Sequence, residues 1–591
     1  MRLHDSNHQS KATRSTLNLL SGRSRSSNGT VSASTEEEKK NLWENYFKSL
    51  LSPTTATGDP PDLTGIHPLF QKCTFDTGLF TLDELKAAIK QMECGKACGL
   101  DTICAEVLKL DELHPLFLEV LNVILVSKNA PSEWLISVLV PVYKKGNASD
   151  CSNYRGIALM SLIAKLFNKL LSERLRAGLD KQLRYSQNGF RSVRSTSQHV
   201  LAARRIIEEI QDSEQGKLIA IFIDFSKAFD SVNWEWIRAI LLHYNVPVFL
   251  VDSIMSLYYG AKAKVRYDTD SFTDFIELCI GVLQGDTLAP YLFVIVMDYV
   301  LRVALDTEPS LGLMIKKGTT SRHPSKYLTD LGFADDITLF TDNEDKAQAM
   351  LSSIERVALR VGLRINRLKT EFILVGRWDD GPVVINLASG AIKQVDDFKY
   401  LGSWLRDSMK DFKVREALAW KACTRLAKIW KSKVVTKGVK LKLFQACVET
   451  TLLYNAVTWT MTEALEKALD GRYTLMLRYC MGFTWRDKVT NADLYGKLPK
   501  VSKRLLERKL RFAAHCARAT DQPVSELLFW DHTRMISGKC AKGAGARPNY
   551  AKRLLKECGC VVRSDTELAK LMQDREQWQL RIKMIVEDNY N

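Results

Sequence analysis

The sequence predicts an α+β fold in which an antiparallel sheet carries helices packed on one face. Two observations point there. Between residues 217 and 341 the hydrophobic pattern runs strand, helix, hairpin, helix, strand pair. That order suits an antiparallel sheet with its helices in one layer. The stretch "LGFADDITLF" (331–340) also sets two adjacent aspartates, Asp335 and Asp336, in a run that otherwise reads as buried. Aspartate is a poor strand former and a buried carboxylate is costly unless paired, so the two acids are expected at the tip of a strand–turn–strand unit.

The elements follow in chain order. Residues 1–35 are rich in Ser, Arg, Asn and Thr and are expected to be disordered. "STEEEKKNLWENYFKSLLS" opens a helix that Ser34 or Thr35 can cap, with acids in its first turn. A Pro/Gly/Thr loop (52–66) precedes "TLDELKAAIKQM", an amphipathic helix opening at Thr81. "PSEWLISVLVPVYKKGNA" reads as a short strand and a basic turn. "RGIALMSLIAKLFNKLLSERLRAGL" repeats its apolar residues at three and four, as a helix does. "KLIAIFIDFSKAFDSV" is a continuous apolar strand ending at Asp224, followed by a helix from about Val232 to His243. "AKAKVRYD" and "SFTDFIELCI" suggest a hairpin across an Asp-Thr-Asp turn. A Gly-rich loop and a long helix, "GVLQGDTLAPYLFVIVMDYVLRVAL", lead to the acid pair. The next helix is expected to stop at Gly362. "FKYLGSWL" is a short strand or hairpin, and beyond about Asp411 the pattern is helical.

At 591 residues the chain is too long for one core, and three or four domains or subdomains are expected. The longest apolar run, Tyr291–Leu305, is interrupted by Asp298 and Arg302, so it reads as a core helix and not a membrane span. The first 20 residues lack the apolar segment of a secretory signal. Thirteen scattered cysteines then read as reduced thiols of an intracellular protein. Cys94, Cys98 and Cys104 lack a nearby histidine, and His532, Cys540, Cys558 and Cys560 are irregularly spaced, so neither set reads as a zinc site. The net charge of +16 is concentrated: residues 411–520 hold about 23 Lys/Arg against about 9 Asp/Glu. Trp420, Trp430, Tyr454, Trp459, Tyr473, Tyr479 and Trp485 are interleaved with them, the composition of a nucleic-acid groove.

If the acid pair lies at a hairpin tip, Asp224 at the end of a neighbouring strand supplies a third carboxylate. Three converging acids repel and raise one another's pKa. Two divalent cations resolve the conflict, and Mg²⁺ is commonly shared between carboxylates and substrate phosphates. A pair of such ions stabilises the attacking and leaving oxygens of phosphoryl transfer.

"FIDFSKAFDSV", "GVLQGDTLAPYLF", "GFADDITLF", "GLRINRLKTEFI" and "FKYLGSWL" occur in that order. Upstream stand "GKACGLDTICAEVLK", "LVPVYKKGNASDCSNYRGIALMS" and "SQNGFRSVRST". From about Leu42 to Ala519 the chain resembles the reverse transcriptases of non-LTR, LINE-like retrotransposons. The resemblance implies a right-hand polymerase. Residues 1–35 would be a disordered tail, 36–130 a helical N-terminal extension and 131–215 the fingers. The palm, with its antiparallel sheet and active site, would span 216–403 and a basic helical thumb 404–520. The role of 521–591 is left open.

The resemblance also assigns roles. Asp224, Asp335 and Asp336 would hold two Mg²⁺ ions, with Mn²⁺ as a substitute, and the Phe225 carbonyl would help. Phe229 matches the aromatic that blocks a ribose 2′-OH. Gln284 and Gly285 match the loop that packs on the incoming nucleotide and template; Gly281 and Gly285 permit close backbone approach. Lys144, with Lys145 beside it, and Arg155 match fingers residues that grip the triphosphate. Lys369 matches a lysine that protonates the leaving pyrophosphate, although an exposed lysine is the plain reading. Tyr400, Leu401 and Gly402 match the primer grip. The implied partners are an RNA template, a DNA primer and dNTPs, with no membrane and no protein partner specified. The implied location is the nucleus, with passage through the cytoplasm.

The sequence departs from the family pattern in small ways. Cys98 stands where the family usually has proline, and "YRGIAL" lacks a proline. With about 75 residues ahead of the polymerase-like extension, an N-terminal apurinic-type endonuclease is not expected, and no C-terminal zinc knuckle or restriction-like nuclease pattern is legible. Two other readings stay open: a decayed or domesticated, non-catalytic nucleic-acid-binding protein, and a group II intron-type reverse transcriptase that aids splicing.

Overall fold

The computed structural model describes residues 35–53, 73–378, 381–536 and 549–590. The tail over 1–34 and the loop over 54–66 lie outside the described residues. Thr35 caps the helix Glu36–Leu51 by accepting from the Glu38 N–H, and Thr81 forms a capping box with Glu84 at the helix Leu82–Gln91. Gly362 follows the helix Glu344–Arg360 with a φ of +92°.

Two sheets organise the first four hundred residues. The smaller contains β1 (Ile136–Tyr143), β2 (Tyr154–Leu159), β4 (Lys262–Val265) and β5 (Ile276–Glu277) in the order β2-β1-β4-β5. The larger is built on β3 (Lys217–Ile223), flanked by β9 (Asp336–Thr341) and β10 (Glu371–Gly376), with β8 (Asp330–Phe333) beyond β9 and Lys393–Gln394 beyond β10. Both β3 pairings are antiparallel, and β6 (Leu313–Lys316) and β7 (Lys326–Leu328) pair separately as a two-stranded antiparallel ladder. The expected hairpin after residue 260 therefore belongs elsewhere: β4 and β5 do pair antiparallel, but β4 joins β1 in parallel and extends the smaller sheet.

The larger sheet also departs from the one-faced layer expected of it. Strand side chains alternate between faces. Ile219, Ile221 and Ile223 enter a core shared with helices α1 (Leu162–Leu179) and α3 (Ala289–Leu305). Leu218, Ala220 and Phe222 enter a second core, with helix α2 (Thr196–Asp212) and apolar side chains from 506–586. Helices thus cover both faces. The uninterrupted apolar run of β3 is the reason, because a strand with no polar face must be buried twice.

Residues 408–505 form a third core, with helices α4 (Ser408–Arg425) and α5 (Glu463–Met481). Trp430, Trp459 and Tyr473 are buried in it. The Trp459 indole N–H donates to Asp411 at 2.9 Å and the Tyr473 hydroxyl donates to Glu449 at 2.8 Å. These three aromatics are core and cannot stack on bases. Tyr454, Tyr479 and Trp485 are exposed.

Buried charges tie these parts together. Arg204 on α2 donates to Asp411 on α4 at 3.0 Å, both essentially without solvent access. Its neighbour Arg205 bonds Glu208 and Glu209, the carbonyls of Leu528 and Trp530, and the Asn549 side chain. Removing one partner of a buried ion pair strands the other, at about 3–5 kcal/mol. Arg204→Met is therefore expected to lower stability by about that amount, read from the midpoint of urea unfolding. A variant as stable as the parent would mean that the pair does not join the two elements.

Candidate active site

The acid cluster follows from strand register. Ile223 on β3 faces Ile337 on β9, so one further residue sets Asp224 across from Asp336. Directly opposed side chains in an antiparallel pair have Cβ atoms about 4.5–5.5 Å apart. Phe333 pairs with Asp336, which leaves Ala334 and Asp335 as the two-residue connection. Asp335 thus sits on the turn itself, and Asp336 is the first residue of the returning strand.

The strand end at Asp224 is held from the side. Its N–H donates to the Thr370 hydroxyl at 3.3 Å, its carbonyl accepts from the Asn366 N–H at 2.7 Å, and Ser226 N–H donates to the Arg364 carbonyl at 2.8 Å. Phe225 is buried and bridges to Ile365. Lys369, on the same 364–370 segment, brings its ammonium to 3.3 Å from Asp224 Oδ2. That oxygen is buried and accepts no well-formed hydrogen bond.

Electrostatics follow the crowding. Loss of water pushes the Asp335 carboxyl up, and Asp224 adds to this, while Arg155 and Lys144 pull it down. Asp336 is exposed to solvent along one side, yet the protein packed beneath it, then Asp335 and Asp224, push it up to about 6. Among the described residues no group of three or more His, Cys, Asp or Glu side chains is drawn together as a ready metal site. The three aspartates are an open, mutually repelling oxygen-donor set in which one buried oxygen, Asp224 Oδ2, is held by the Lys369 ion pair without a well-formed hydrogen bond. That chemistry fits hard divalent cations whose remaining ligands are water and phosphate.

Basic residues face this cluster from the smaller sheet. The β1–β2 hairpin presents Arg155 opposite Val142, and Lys144 N–H closes it on the Asn153 carbonyl at 2.9 Å. Crowding and then Arg155 hold the Lys144 ammonium low, with smaller contributions from Lys369 and Lys227, against the pull of Asp230. Lys145, next along the turn, is exposed.

Gly285 has a φ of +126°, and a Cβ there would lie 2.5 Å from the Ala158 carbonyl oxygen. Its neighbour Gln284 accepts at its carbonyl from the Ala158 N–H (2.7 Å) and extends its amide toward Asp230 at 3.5 Å. Gly281, φ +87°, likewise lies where a Cβ would meet the Asp230 carbonyl at 2.8 Å. Phe229 stacks on Phe293, with centroids 4.4 Å apart, and is only partly buried.

Tyr400 is buried in the second core near Phe222, close enough to Asp336 for that carboxylate to act on its hydroxyl. Leu401 and Gly402 form a turn with φ of +44° and +84°, held by the Tyr454 hydroxyl and by Arg415.

Sequence reasoning missed two residues here. Asp230 is pushed up to about 6 by burial, against Lys144, Lys227 and Arg155. Gln187 is wholly buried against the acid-bearing turn. The signal for the first was a second acid in "DFSKAFD"; for Gln187 no local pattern marks a partner 147 residues away.

Residues 142–405 match the family model described as reverse transcriptase (RNA-dependent DNA polymerase). The segment is a reverse transcriptase domain. The chain is 27% identical over 297 residues to the retrovirus-related Pol polyprotein of the type-2 retrotransposable element R2DM of Drosophila melanogaster, covering 49% of this chain and 27% of that one. It is 24% identical over 411 residues to the Pol polyprotein of a type-1 retrotransposable element R2 of Popillia japonica, covering 68% of this chain and 54% of the relative. Over 220 residues it is 27% identical to the probable RNA-directed DNA polymerase from transposon BS of Drosophila melanogaster, covering 36% and 24%. The chain thus spans about a quarter to about half of the length of these relatives. The domain falls among non-LTR retrotransposon reverse transcriptases, as the ordered motifs implied. Among the described residues no helix is long and apolar enough to cross a membrane.

A raised carboxylate makes the reverse transcriptase domain less stable as that carboxylate ionises. Asp336 holds its proton in the folded state to about pH 6, but an unfolded aspartate loses it near pH 4. Stability present below about pH 4 is therefore lost as the pH rises to about 6. Asp336→Asn is expected to stabilise the metal-free chain above pH 6, on the order of 1 kcal/mol after solvent screening, and to bring no gain at pH 4. Thermal midpoints of both proteins across that range test it; a gain of equal size at pH 4 would contradict the repulsion.

Proposed function

We propose that the chain is an RNA-directed DNA polymerase that extends a DNA primer along an RNA template. The observation that carries this is the register of β3 with β9, which sets Asp224 across from Asp336 beside the turn bearing Asp335, within the segment matched to the reverse transcriptase family. In this reading β1, β2 and α1 belong to the fingers, the larger sheet with β4 and β5 to the palm, and the basic helices after 404 to the thumb.

Asp224, Asp335 and Asp336 would hold two divalent cations, Mg²⁺ in the cell, with the Phe225 carbonyl assisting. When bound, such cations activate the primer 3′-OH and neutralise charge on the triphosphate. Lys144 and Arg155 hold the triphosphate and stabilise charge on the leaving pyrophosphate, assisted by Lys145. Lys369, ion-paired to Asp224, would be the residue that delivers a proton to pyrophosphate. Gln284 and Gly285 form the floor under the nucleotide. Phe229, fixed by Phe293, blocks the 2′-OH, and Leu401 with Gly402, on the turn after Tyr400, supports the primer.

Primer extension on poly(rA)/oligo(dT) with Mg²⁺ tests the proposal. Incorporation is expected, and Asp335→Asn is expected to lower it by at least about a hundredfold, the scale of losing a preorganised electrostatic group. Binding without incorporation by the parent chain would favour a non-catalytic nucleic-acid-binding protein. Phe229→Ala is expected to admit rNTPs; continued exclusion would remove that role from Phe229. Affinity for the duplex is expected to fall steeply with salt through the 411–520 region, and a flat response would remove the basic helices from the interface.

A further inference from the structure

The turn that carries the acid pair is strained, and a distant segment holds it in place. Ala334 has a φ of +57°. Left-handed backbone is unfavourable for any residue with a Cβ and easy for glycine. A two-residue hairpin with positive φ at its first position normally places glycine there. Here alanine stands in that position, directly before Asp335.

Gln187 compensates. Its side-chain Oε1 accepts from the Ala334 N–H at 2.8 Å, and its Nε2 reaches the Ala334 carbonyl at 3.4 Å. One buried carboxamide therefore grips both backbone groups of the strained residue. Its own placement is rigid. Oε1 also accepts from the Gly189 N–H at 2.8 Å. Asn188 N–H donates to the Gly332 carbonyl at 2.8 Å, and Gly332 N–H donates to the Ser186 carbonyl at 2.9 Å. Ser186 and Arg184 both bond Asp330, the first residue of β8. Gly189 lies so close that a Cβ on it would fall 2.2 Å from the Ala334 nitrogen.

We propose that Gln187 is a positioning residue of the polymerase site, holding the Ala334 turn left-handed so that Asp335 and Asp336 face the cations. This rests on the polymerase reading above. A carboxamide that merely satisfied itself in a core could bond any nearby backbone. This one bonds the N–H and the C=O of the single residue whose conformation the acid pair depends on. Strain and clamp must then compensate: glycine at 334 removes the need for Gln187.

The test compares the full chain as parent, Gln187→Ala, Ala334→Gly and the double variant. Steady-state dTTP incorporation on poly(rA)/oligo(dT) gives kcat and KM, and Mn²⁺ binding to the chain without nucleic acid is followed by electron paramagnetic resonance. Gln187→Ala is expected to lower kcat by about ten- to a hundredfold with KM for dTTP within about twofold, and to weaken Mn²⁺ binding. Ala334→Gly is expected to resemble the parent, and the double variant to regain at least half of the loss on a logarithmic scale. Equal loss in both backgrounds, or unaltered Mn²⁺ binding in Gln187→Ala, would overturn the clamp. If Gln187→Ala does not fold, a higher melting temperature for the double variant supports the coupling; two unfolded variants would overturn it, because Gln187 would then support the core and not the turn. A parent chain that binds Mn²⁺ but incorporates nothing would defeat the polymerase reading while leaving the clamp to be read from the Mn²⁺ series.

Discussion

Like charges crowded at one end of a buried sheet set the terms for the rest of the molecule. Antiparallel pairing of β3 with β9 brings Asp224 and Asp336 face to face, and the turn adds Asp335. No strand would adopt that arrangement for its own stability. It persists because the strands behind it are buried on both faces and cannot shift register without moving every apolar side chain to the wrong side. The surrounding polar groups then divide the repulsion. Lys369 leans on Asp224, and Arg155 with Lys144 acts on Asp335 from another sheet.

The second face of the sheet explains why distant parts of the chain matter to this site. Helix α2 lies between β3 and the helical segments after residue 500, and its two adjacent arginines point in different directions. Arg204 binds the Asp411 helix; Arg205 binds carbonyls near residue 530. Motion of the basic helices relative to the acid cluster is therefore limited by a buried ion pair, and the turn at Leu401–Gly402 is fastened to the same helices through Tyr454 and Arg415.

Much of this was legible in the sequence. The strand ending at Asp224, the turn at the acid pair, the caps at Thr35 and Thr81 and the short hairpin over 399–404 depend on local patterns, and the structure contains them. The one-faced sheet was a misreading with a visible cue: β3 has no polar alternation, which already implied burial on two sides. The interleaved aromatics after 411 misled for a different reason. Composition does not distinguish a ring that faces a groove from one that faces its own core, and Trp430, Trp459 and Tyr473 face the core. Gln187 was illegible because its partner is set by tertiary contact alone.

The match to the reverse transcriptase family ends at residue 405, but the folded unit does not. Trp530 donates its indole N–H to the Ile315 carbonyl at 2.8 Å, and Trp578 and Ile582 are sealed in the core that contains β3. Cutting the chain at residue 405 would strip away the helical segments that pack with α2 in the second core and remove the Arg205 acceptors at Leu528, Trp530 and Asn549. For anyone shortening, fusing or splitting this protein, the boundary that matters is where the sheet's second covering ends, well past the last recognisable motif.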